Sequence, residues 1–184
     1  MAAAGALAAA IAGAAIYLVT DGPRSHAVNT GPFGSGAHML ISQCMVAGQP
    51  NRVLTVGAIA FTNTGPASII DKVSLRNPRR LALLSAYVLP ITGHDTFATG
   101  QGYPSSAMDA PGVHWAQRRR ASGAVIPHSR PPRDTDLVLV LKLLGKKSGT
   151  SDGVDIYYHT SGQNYHFFQT IRFTVVAGWH LPCN

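Results

Sequence analysis

The stretch VDIYYHTSGQNYHFFQTIRFTVV, residues 154–176, decides the fold. Two runs of β-branched and aromatic residues flank Ser161-Gly162-Gln163-Asn164, and this pattern predicts a β-hairpin. A turn symmetric about its two central residues would give three cross-strand pairs: Thr160 with Tyr165, His159 with His166, and Tyr158 with Phe167.

Alternation along the two strands sorts their side chains into an apolar and a polar face. The apolar face comprises Val154, Ile156, Tyr158, Tyr165, Phe167, Ile171, Phe173 and Val175. The polar face comprises Asp155, Tyr157, His159, Asn164, His166, Thr170, Arg172 and Thr174. A sheet with one buried and one solvated face shows this alternation. The stretch therefore predicts a fold class but no chemistry.

Further apolar runs outside this hairpin predict strands at 53–62, 68–75, 81–91 and 136–144. The last run is apolar at almost every position, so it predicts a central strand buried on both faces. Residues 92–133 are rich in Gly, Pro, Ser and Arg, and a loop of that length in a compact domain is commonly functional. Short strands without an amphipathic helix predict an all-β sandwich over residues 39–184.

A family resemblance lies in two neighbouring strands. The first ends in Phe61-Thr62-Asn63-Thr64-Gly65, and the second carries Ile70, Val73 and Leu75. Together they resemble the opening of many bacterial extracytoplasmic immunoglobulin-like domains, and the resemblance implies an Ig-like β-sandwich. The chain departs from antibody-type domains because neither tryptophan lies between two core cysteines.

The N-terminal residues predict a targeting segment. Residues 2–19 carry no charge, and as a helix they would rise about 27 Å, enough to cross a bilayer. We interpret residues 1–19 as a hydrophobic helix that is either a signal-anchor or a signal peptide, the latter cleaved after Ser25-His26-Ala27. Residues 20–38 predict a flexible linker. The domain would then be membrane-anchored and extracytoplasmic, or secreted.

Composition and cysteine content agree with that compartment. The 184 residues include 15 Lys+Arg against 8 acidic residues, a net charge of +7, which favours an anionic partner. The two cysteines, Cys44 and Cys183, lack zinc-binding spacing. An oxidising compartment favours a disulfide between them, although two separate thiols are the alternative.

One basic group has aromatic neighbours. Arg118, Arg119 and Arg120 follow Tyr103 and Trp115 within the long 92–133 stretch. Basic residues interleaved with aromatic ones bind anions. For an extracytoplasmic protein we expect an anionic lipid or an envelope polymer rather than nucleic acid. These five residues form the candidate binding set, and solvated loop charge is the alternative interpretation.

The polar face of the hairpin suggests a metal site. In the register given above, His159 and His166 face each other with Cβ atoms about 5 Å apart, close enough to share a divalent metal. Asp155 on the same face is the candidate third ligand. A solvated polar face is the alternative interpretation. No nucleophile motif or phosphate-binding glycine loop accompanies these residues, so we predict no catalytic residue and no cofactor.

The sequence therefore favours a non-enzymatic extracytoplasmic binding or structural module, such as an accessory subunit of a membrane or envelope assembly. Its expected partner is a membrane or envelope protein that contacts the 92–133 stretch. Deletion of residues 100–120 should then leave a folded domain that no longer binds. A metal-dependent enzyme that uses the His159/His166 face and a polyanion-binding protein that uses loop arginines are the alternatives.

Overall fold

A computed structural model describes residues 28–34, 41–47, 51–90, 99–105, 108, 113–129 and 135–177. In chain order the strands are β1 (Phe33–Gly34), β2 (Ile41–Ala47), β3 (Val53–Asn63), β4 (Ser68–Arg76), β5 (Leu81–Pro90), β6 (Gly100–Gln101), β7 (Arg119–Arg120), β8 (Val125–Ile126), β9 (Thr135–Leu143), β10 (Gly149–Ser151), β11 (Gly153–Thr160), β12 (Gln163–Gln169) and β13 (Ile171–Ala177). A 3-10 turn, Trp115–Gln117, lies between β6 and β7. This part of the chain is all-β, as predicted.

The strands form three hydrogen-bonded sheets. The largest has the order β1-β3-β9-β5-β7, and β6 also pairs with β3. The second has the order β12-β11-β4-β8, and the third has the order β10-β13-β2. Strands β13 and β2 run parallel, so the last described strand lies beside one of the first. This pairing joins two strands that are far apart in the sequence.

One main core joins the three sheets. Strand β9 is buried at every position except Lys142, which confirms the predicted central strand. Its odd-numbered residues from Leu137 to Leu143 pack into this core. The other sheets contribute, among others, these side chains: Met45 from β2, Ile70 from β4, Val154, Ile156 and Tyr158 from β11, Phe167 from β12, and Ile171, Phe173 and Val175 from β13.

The hairpin forms, but its register differs from the predicted one. The turn consists of Ser161 and Gly162, whose φ angles are 48° and 78°. Two successive residues with positive φ are characteristic of the two-residue turn that matches the twist of a hairpin. Thr160 therefore pairs with Gln163, two positions from the predicted partner Tyr165. A shift of two residues preserves each side chain's face, which is why the predicted apolar face is correct.

The stretch 154–176 also spans two sheets rather than one. Strand β12 ends at Gln169, and Thr170 lies outside both strands. Strand β13 leaves the hairpin and pairs with β2 and β10. The apolar alternation continues through this crossover because both sheets face the same core.

Residues 28–34 are part of the domain, so the predicted flexible linker at 20–38 is wrong for this segment. The Asn29 side chain accepts a hydrogen bond from the Phe168 amide at 2.6 Å and donates one to the Phe168 carbonyl at 3.2 Å. Phe33 is 3% exposed and stacks on Tyr158 with ring centroids 3.7 Å apart. The folded core therefore includes residues before the predicted boundary at residue 39, because the buried Phe33 ring fixes the segment to it.

The predicted hydrophobic helix at 1–19 lies outside the described residues. In the part of the chain that the structure describes, no helix has the length and apolarity needed to cross a bilayer.

Candidate binding surface

The outer face of the largest sheet carries a second, smaller apolar cluster. Tyr87 and Leu89 of β5 and Val138 and Val140 of β9 point away from the main core, and Met108 covers them. Val53, Val113 and Trp115 pack partly buried against this cluster. Residues of the long 92–133 stretch thus cover the sheet instead of extending into solvent.

Three aromatic rings meet at the edge of this second cluster. The Tyr87 and Tyr103 rings are stacked with centroids 5.9 Å apart. Trp115 meets both rings edge-on, at 5.5 Å from Tyr87 and 6.4 Å from Tyr103. The guanidinium carbon of Arg118 lies 4.9 Å from the Trp115 ring centroid, within cation–π range.

Local backbone structure positions the tryptophan and the first arginine. The amide of Arg118 donates to the Trp115 carbonyl at 3.1 Å and closes the 3-10 turn. The Arg118 guanidinium donates to the same carbonyl at 3.2 Å. The side chain is thereby held over the indole ring rather than left free in solvent.

The next two arginines lie on opposite sides of the sheet. Arg120 pairs with Tyr87, and Arg119 pairs with Val88 of the main core. Directly paired residues of antiparallel strands project to the same face, so Arg120 lies on the Tyr87 side and Arg119 on the other. The predicted binding set is therefore split. We name Tyr87, Tyr103, Trp115, Arg118 and Arg120 the aromatic–arginine patch.

The two tyrosine hydroxyls have different protonation preferences. Tyr103 donates a hydrogen bond to the Tyr87 hydroxyl at 2.8 Å. Burial raises the pKa of Tyr87, but hydrogen bonds from Tyr103 and Ser85 and the charges of Arg120 and Arg118 outweigh it and lower this pKa below its ordinary value. Burial and the donated hydrogen bond raise the pKa of Tyr103. In the hydrogen bond between them, Tyr103 is the donor and Tyr87 the acceptor.

The positive charge of the patch is not neutralised by any described carboxylate. The four described aspartates are engaged elsewhere: Asp71 with His159, Asp136 with the Ile59 amide, Asp152 with Asn77, and Asp155 with Arg76 and His166. Arg118 and Arg120 are exposed, and Tyr103 is 41% exposed. The patch therefore presents cationic and aromatic groups that suit an anionic or planar partner.

Tyr87 is the member of the patch that sequence reasoning missed. It lies in a predicted strand and is 16 residues before Tyr103. Tyr87 and Leu89 alternate with the core-facing Val88, so two large apolar side chains stand on a face that would be solvated in an uncovered sheet. Two large apolar residues on the outer face of a strand could have indicated that another segment of the chain covers that face.

The predicted metal set His159, His166 and Asp155 is not assembled. His166 Nε2 lies 2.7 Å from Asp155 Oδ1, and Arg76 Nη2 lies 2.5 Å from the same oxygen. His159 Nδ1 instead contacts Asp71 Oδ1 at 2.8 Å. Among the described residues, no group of three or more His, Cys, Asp or Glu side chains is arranged to bind a metal ion.

The register of the hairpin explains this outcome. His159 pairs with Asn164, and His166 pairs with Tyr157. The Tyr157 and His166 rings stack with centroids 4.5 Å apart and an interplanar angle of 6°. The two-residue turn therefore separates the histidines and gives each a different carboxylate. Asp155 and His166 are also buried, at 6% and 8% exposure, on a face that the sequence predicted to be solvated.

Two other predictions depend on residues outside the described part. Cys44 lies in β2, but Cys183 is not among the described residues, so the disulfide stays a prediction. The expected absence of a catalytic set also stays a prediction, since several loop residues with titratable side chains, including His94 and Asp95, are outside it.

The chain has little detectable similarity to known proteins. No family model matches the chain, and no curated protein matches it. Among solved structures, the chain is similar to the CooA pilin subunit from enterotoxigenic Escherichia coli. The match has 12% identity and a TM-score of 0.37, and it covers 78% of this chain and 94% of that chain. At this identity and TM-score we draw no conclusion from the likeness.

Proposed function

We propose that this protein is a non-enzymatic extracytoplasmic binding module whose contact surface is the aromatic–arginine patch. The observation that carries the proposal is the arrangement of Tyr103, Trp115 and Arg118. The Tyr103 and Trp115 rings meet edge-on, the Arg118 guanidinium lies over Trp115, and all three side chains are partly or fully exposed. The sandwich acts as a scaffold, and we further propose that its topology is Ig-like.

The patch has the properties of a preformed binding surface. Its rings rest on the second apolar cluster, so their positions are fixed before a partner arrives. Tyr, Trp and Arg are the residues most enriched at interface hot spots, and the two aromatic rings bury a large area while losing little side-chain freedom. Preorganisation lowers the entropic cost of association.

The chemistry of the patch defines its partner. The charges of Arg118 and Arg120 both lower the pKa of Tyr87, and two arginines on one face favour carboxylates on the partner. The exposed edge of Tyr103 adds an apolar contact. We therefore propose an acidic protein of the cell envelope as the partner, with this protein as an accessory subunit of the assembly.

Two substitutions test this surface. Tyr103→Ala removes the exposed ring, and Arg118→Glu reverses the charge over Trp115. Lys72→Glu is the matched control, because Lys72 is exposed on the second sheet and the charge change equals that of Arg118→Glu. Loss of a hot-spot side chain costs at least about 2 kcal/mol, or about thirtyfold in affinity.

The readout is crosslinking in the native envelope followed by mass spectrometry of the crosslinked proteins. We expect the wild type and Lys72→Glu to recover the same partner, and Tyr103→Ala and Arg118→Glu to lose it. Recovery of the same partner by all four proteins would assign binding to another surface.

A further inference from the structure

A second basic region lies at one end of the sandwich. Here the connections at 51–52, 77–80 and 144–148 meet the ends of β3, β5 and β9. The region carries six basic residues: Arg52, Arg79, Arg80, Lys142, Lys146 and Lys147. We name these six the basic end. They account for six of the 15 lysines and arginines of the chain, and none of them belongs to the aromatic–arginine patch.

Backbone and arginine contacts hold this region in one arrangement. The Leu144 amide donates to the Arg80 carbonyl, and the Leu143 amide donates to the Arg52 carbonyl, both at 2.9 Å. The Arg80 Nε atom donates to the Ser148 carbonyl at 2.8 Å, and Arg52 Nη1 donates to the Gly145 carbonyl. The 144–148 connection is thus attached to its neighbours by two arginine side chains.

Both of these arginines have a left-handed backbone. The φ angle is 52° at Arg52 and 51° at Arg80. Residues with a Cβ rarely adopt this conformation, which costs on the order of 1 kcal/mol or more. Such strain persists where the surrounding contacts compensate for it, and here those contacts fix the two arginines beside the 144–148 connection.

Two exposed leucines lie beside residues of the basic end. Leu84 is 52% exposed and Leu144 is 46% exposed. Leu84 occupies a β-bulge, because the register of β5 against β9 shifts between Leu83 and Ser85. Both leucines line a groove of about 580 Å³, together with Val53, Arg52 and Lys142. Apolar side chains and cations therefore share one surface.

The charge of the basic end is available to a partner. No ion pair within the described part of the chain involves any of its six residues. One described carboxylate, that of Asp152, lies near this region. The Asp152 amide donates a hydrogen bond to the carbonyl of Arg76, which precedes the 77–80 connection. Its side chain accepts a hydrogen bond from Asn77 and lies 4.0 Å from Arg172.

We propose that the basic end docks onto an anionic lipid surface. Leu84 and Leu144 would enter the interfacial layer, and the six cations around them would lie against the phosphate groups of the lipids. Apolar side chains within a basic ring bind such surfaces because apolar burial and attraction to anionic headgroups add together. A polyanion in water would use the cations but would gain nothing from the leucines. This site is separate from the contact surface proposed above and does not depend on it.

The test compares variants of the full chain on vesicles of phosphatidylcholine alone and of phosphatidylcholine with phosphatidylglycerol. Lys146→Glu/Lys147→Glu reverses two charges in the basic end, whereas Lys72→Glu/Arg119→Glu reverses two exposed charges that belong to neither the basic end nor the aromatic–arginine patch. Each basic residue near an anionic surface contributes about a factor of five, so we expect the lysine variant to lose at least about thirtyfold in binding to the mixed vesicles. The Lys72→Glu/Arg119→Glu variant should retain most of its binding. Equal losses in both variants, or equal binding of the wild type to both kinds of vesicle, would overturn the proposal.

A second pair of measurements separates a lipid surface from a soluble polyanion. Leu84→Ser should weaken binding to the mixed vesicles about fivefold to tenfold, because less apolar surface is buried. It should leave binding to dextran sulfate unchanged. If Leu84→Ser has no effect on vesicle binding while dextran sulfate competes fully with the vesicles, the region is a polyanion site and the lipid proposal is wrong.

Discussion

Tyr158 connects the N-terminal segment to the hairpin. Its ring stacks on Phe33, and its hydroxyl accepts a hydrogen bond from the Phe33 amide at 3.1 Å. Burial raises the pKa of Tyr158 to about 12; the Phe33 amide opposes this shift and Tyr165 adds to it. The neutral phenol is therefore the form that the fold stabilises.

This pKa has a consequence for stability at high pH. A tyrosine whose pKa is raised on folding contributes fully below its unfolded pKa of about 10 and loses that contribution as the pH rises to 12. Tyr158→Phe should cost about 1–2 kcal/mol near neutrality, because the Phe33 amide loses its acceptor. We expect this difference from the wild type to shrink between pH 10 and 12 in denaturant titrations. A difference that stays constant to pH 12 would contradict the raised pKa.

Phe33 gives a second test at the scale of a residue. Phe33→Ala should lower the free energy of unfolding by about 3–5 kcal/mol, because it leaves a cavity beside Tyr158. Val28→Ala is the control, since Val28 is 46% exposed, and it should change stability by less than about 0.5 kcal/mol. Chemical denaturation of both variants measures the two values. Similar small losses would mean that the segment 28–34 is not docked.

The burial of Phe33, Asp155 and His166 could not be predicted from the sequence around each of them. Phe33 lies in TGPFGSG, where glycine, proline and serine predict a loop. One aromatic residue has no periodicity, so local reasoning could not assign it to the core. Asp155 and His166 show the opposite case, because the sequence predicted that these polar side chains would be solvated, and they are buried. Both are buried because they bind each other and Arg76, which comes from a strand distant in sequence.

Among the elements, the hairpin was the most predictable and its turn the least. The alternation of apolar and polar residues predicted which side chains face the core, and the apolar face is correct. The SGQN sequence is compatible with both a two-residue and a four-residue turn, and both turns keep the same parity. Only the cross-strand contacts distinguish them, and these determine whether His159 meets His166.

The turn residues give a test of this register. Asn followed by Gly suits two successive positive φ angles, so Ser161→Asn should raise stability by a few tenths to about 1 kcal/mol. Gly162→Ala should lower it by about 1 kcal/mol, since φ at Gly162 is 78°. Thermal or chemical unfolding measures both values. A loss of stability in Ser161→Asn would argue for a different turn.

Met108 and Trp115 cover part of the outer face of the largest sheet, and this changes the result expected from deleting residues 100–120. The sequence suggested that removal of residues 100–120 would leave a folded domain. The structure shows that these residues supply β6 and β7, which pair with β3 and β5, and Met108 and Trp115, which pack against Tyr87, Val138 and Val140. We now expect the deletion to expose this apolar surface and cause aggregation, measurable by light scattering. A monomeric, cooperatively unfolding deletion protein would show that the covering is dispensable.

At the scale of the whole molecule, the sequence predicted an all-β fold, and the described residues confirm that class. It could not predict which loop residues meet, because Tyr87, Tyr103 and Trp115 come from separate elements joined only by tertiary packing. The same limit applies to the basic end, where three connections converge. Local patterns define strands and their faces, whereas surfaces built from several loops depend on long-range contacts.

The cysteines allow a test of the whole chain. If Cys44 and Cys183 are bonded, the intact protein from its native source should gain about 2 Da on reduction, two hydrogens for one disulfide. The chain-entropy model attributes about 4–5 kcal/mol of stability to a bridge that closes a loop of this length. Reduction should therefore lower the unfolding midpoint. An unchanged mass would remove the bridge from this account.

The central claim is that the aromatic–arginine patch contacts a partner in the cell envelope. The most direct measurement is oxidative footprinting of Tyr103 in the free protein and in complexes isolated from a detergent-solubilised envelope fraction. Tyr157, on the second sheet, serves as the internal reference. We expect labelling of Tyr103 to fall several-fold in the complex while labelling of Tyr157 is unchanged. Equal labelling of Tyr103 in both states would contradict the claim.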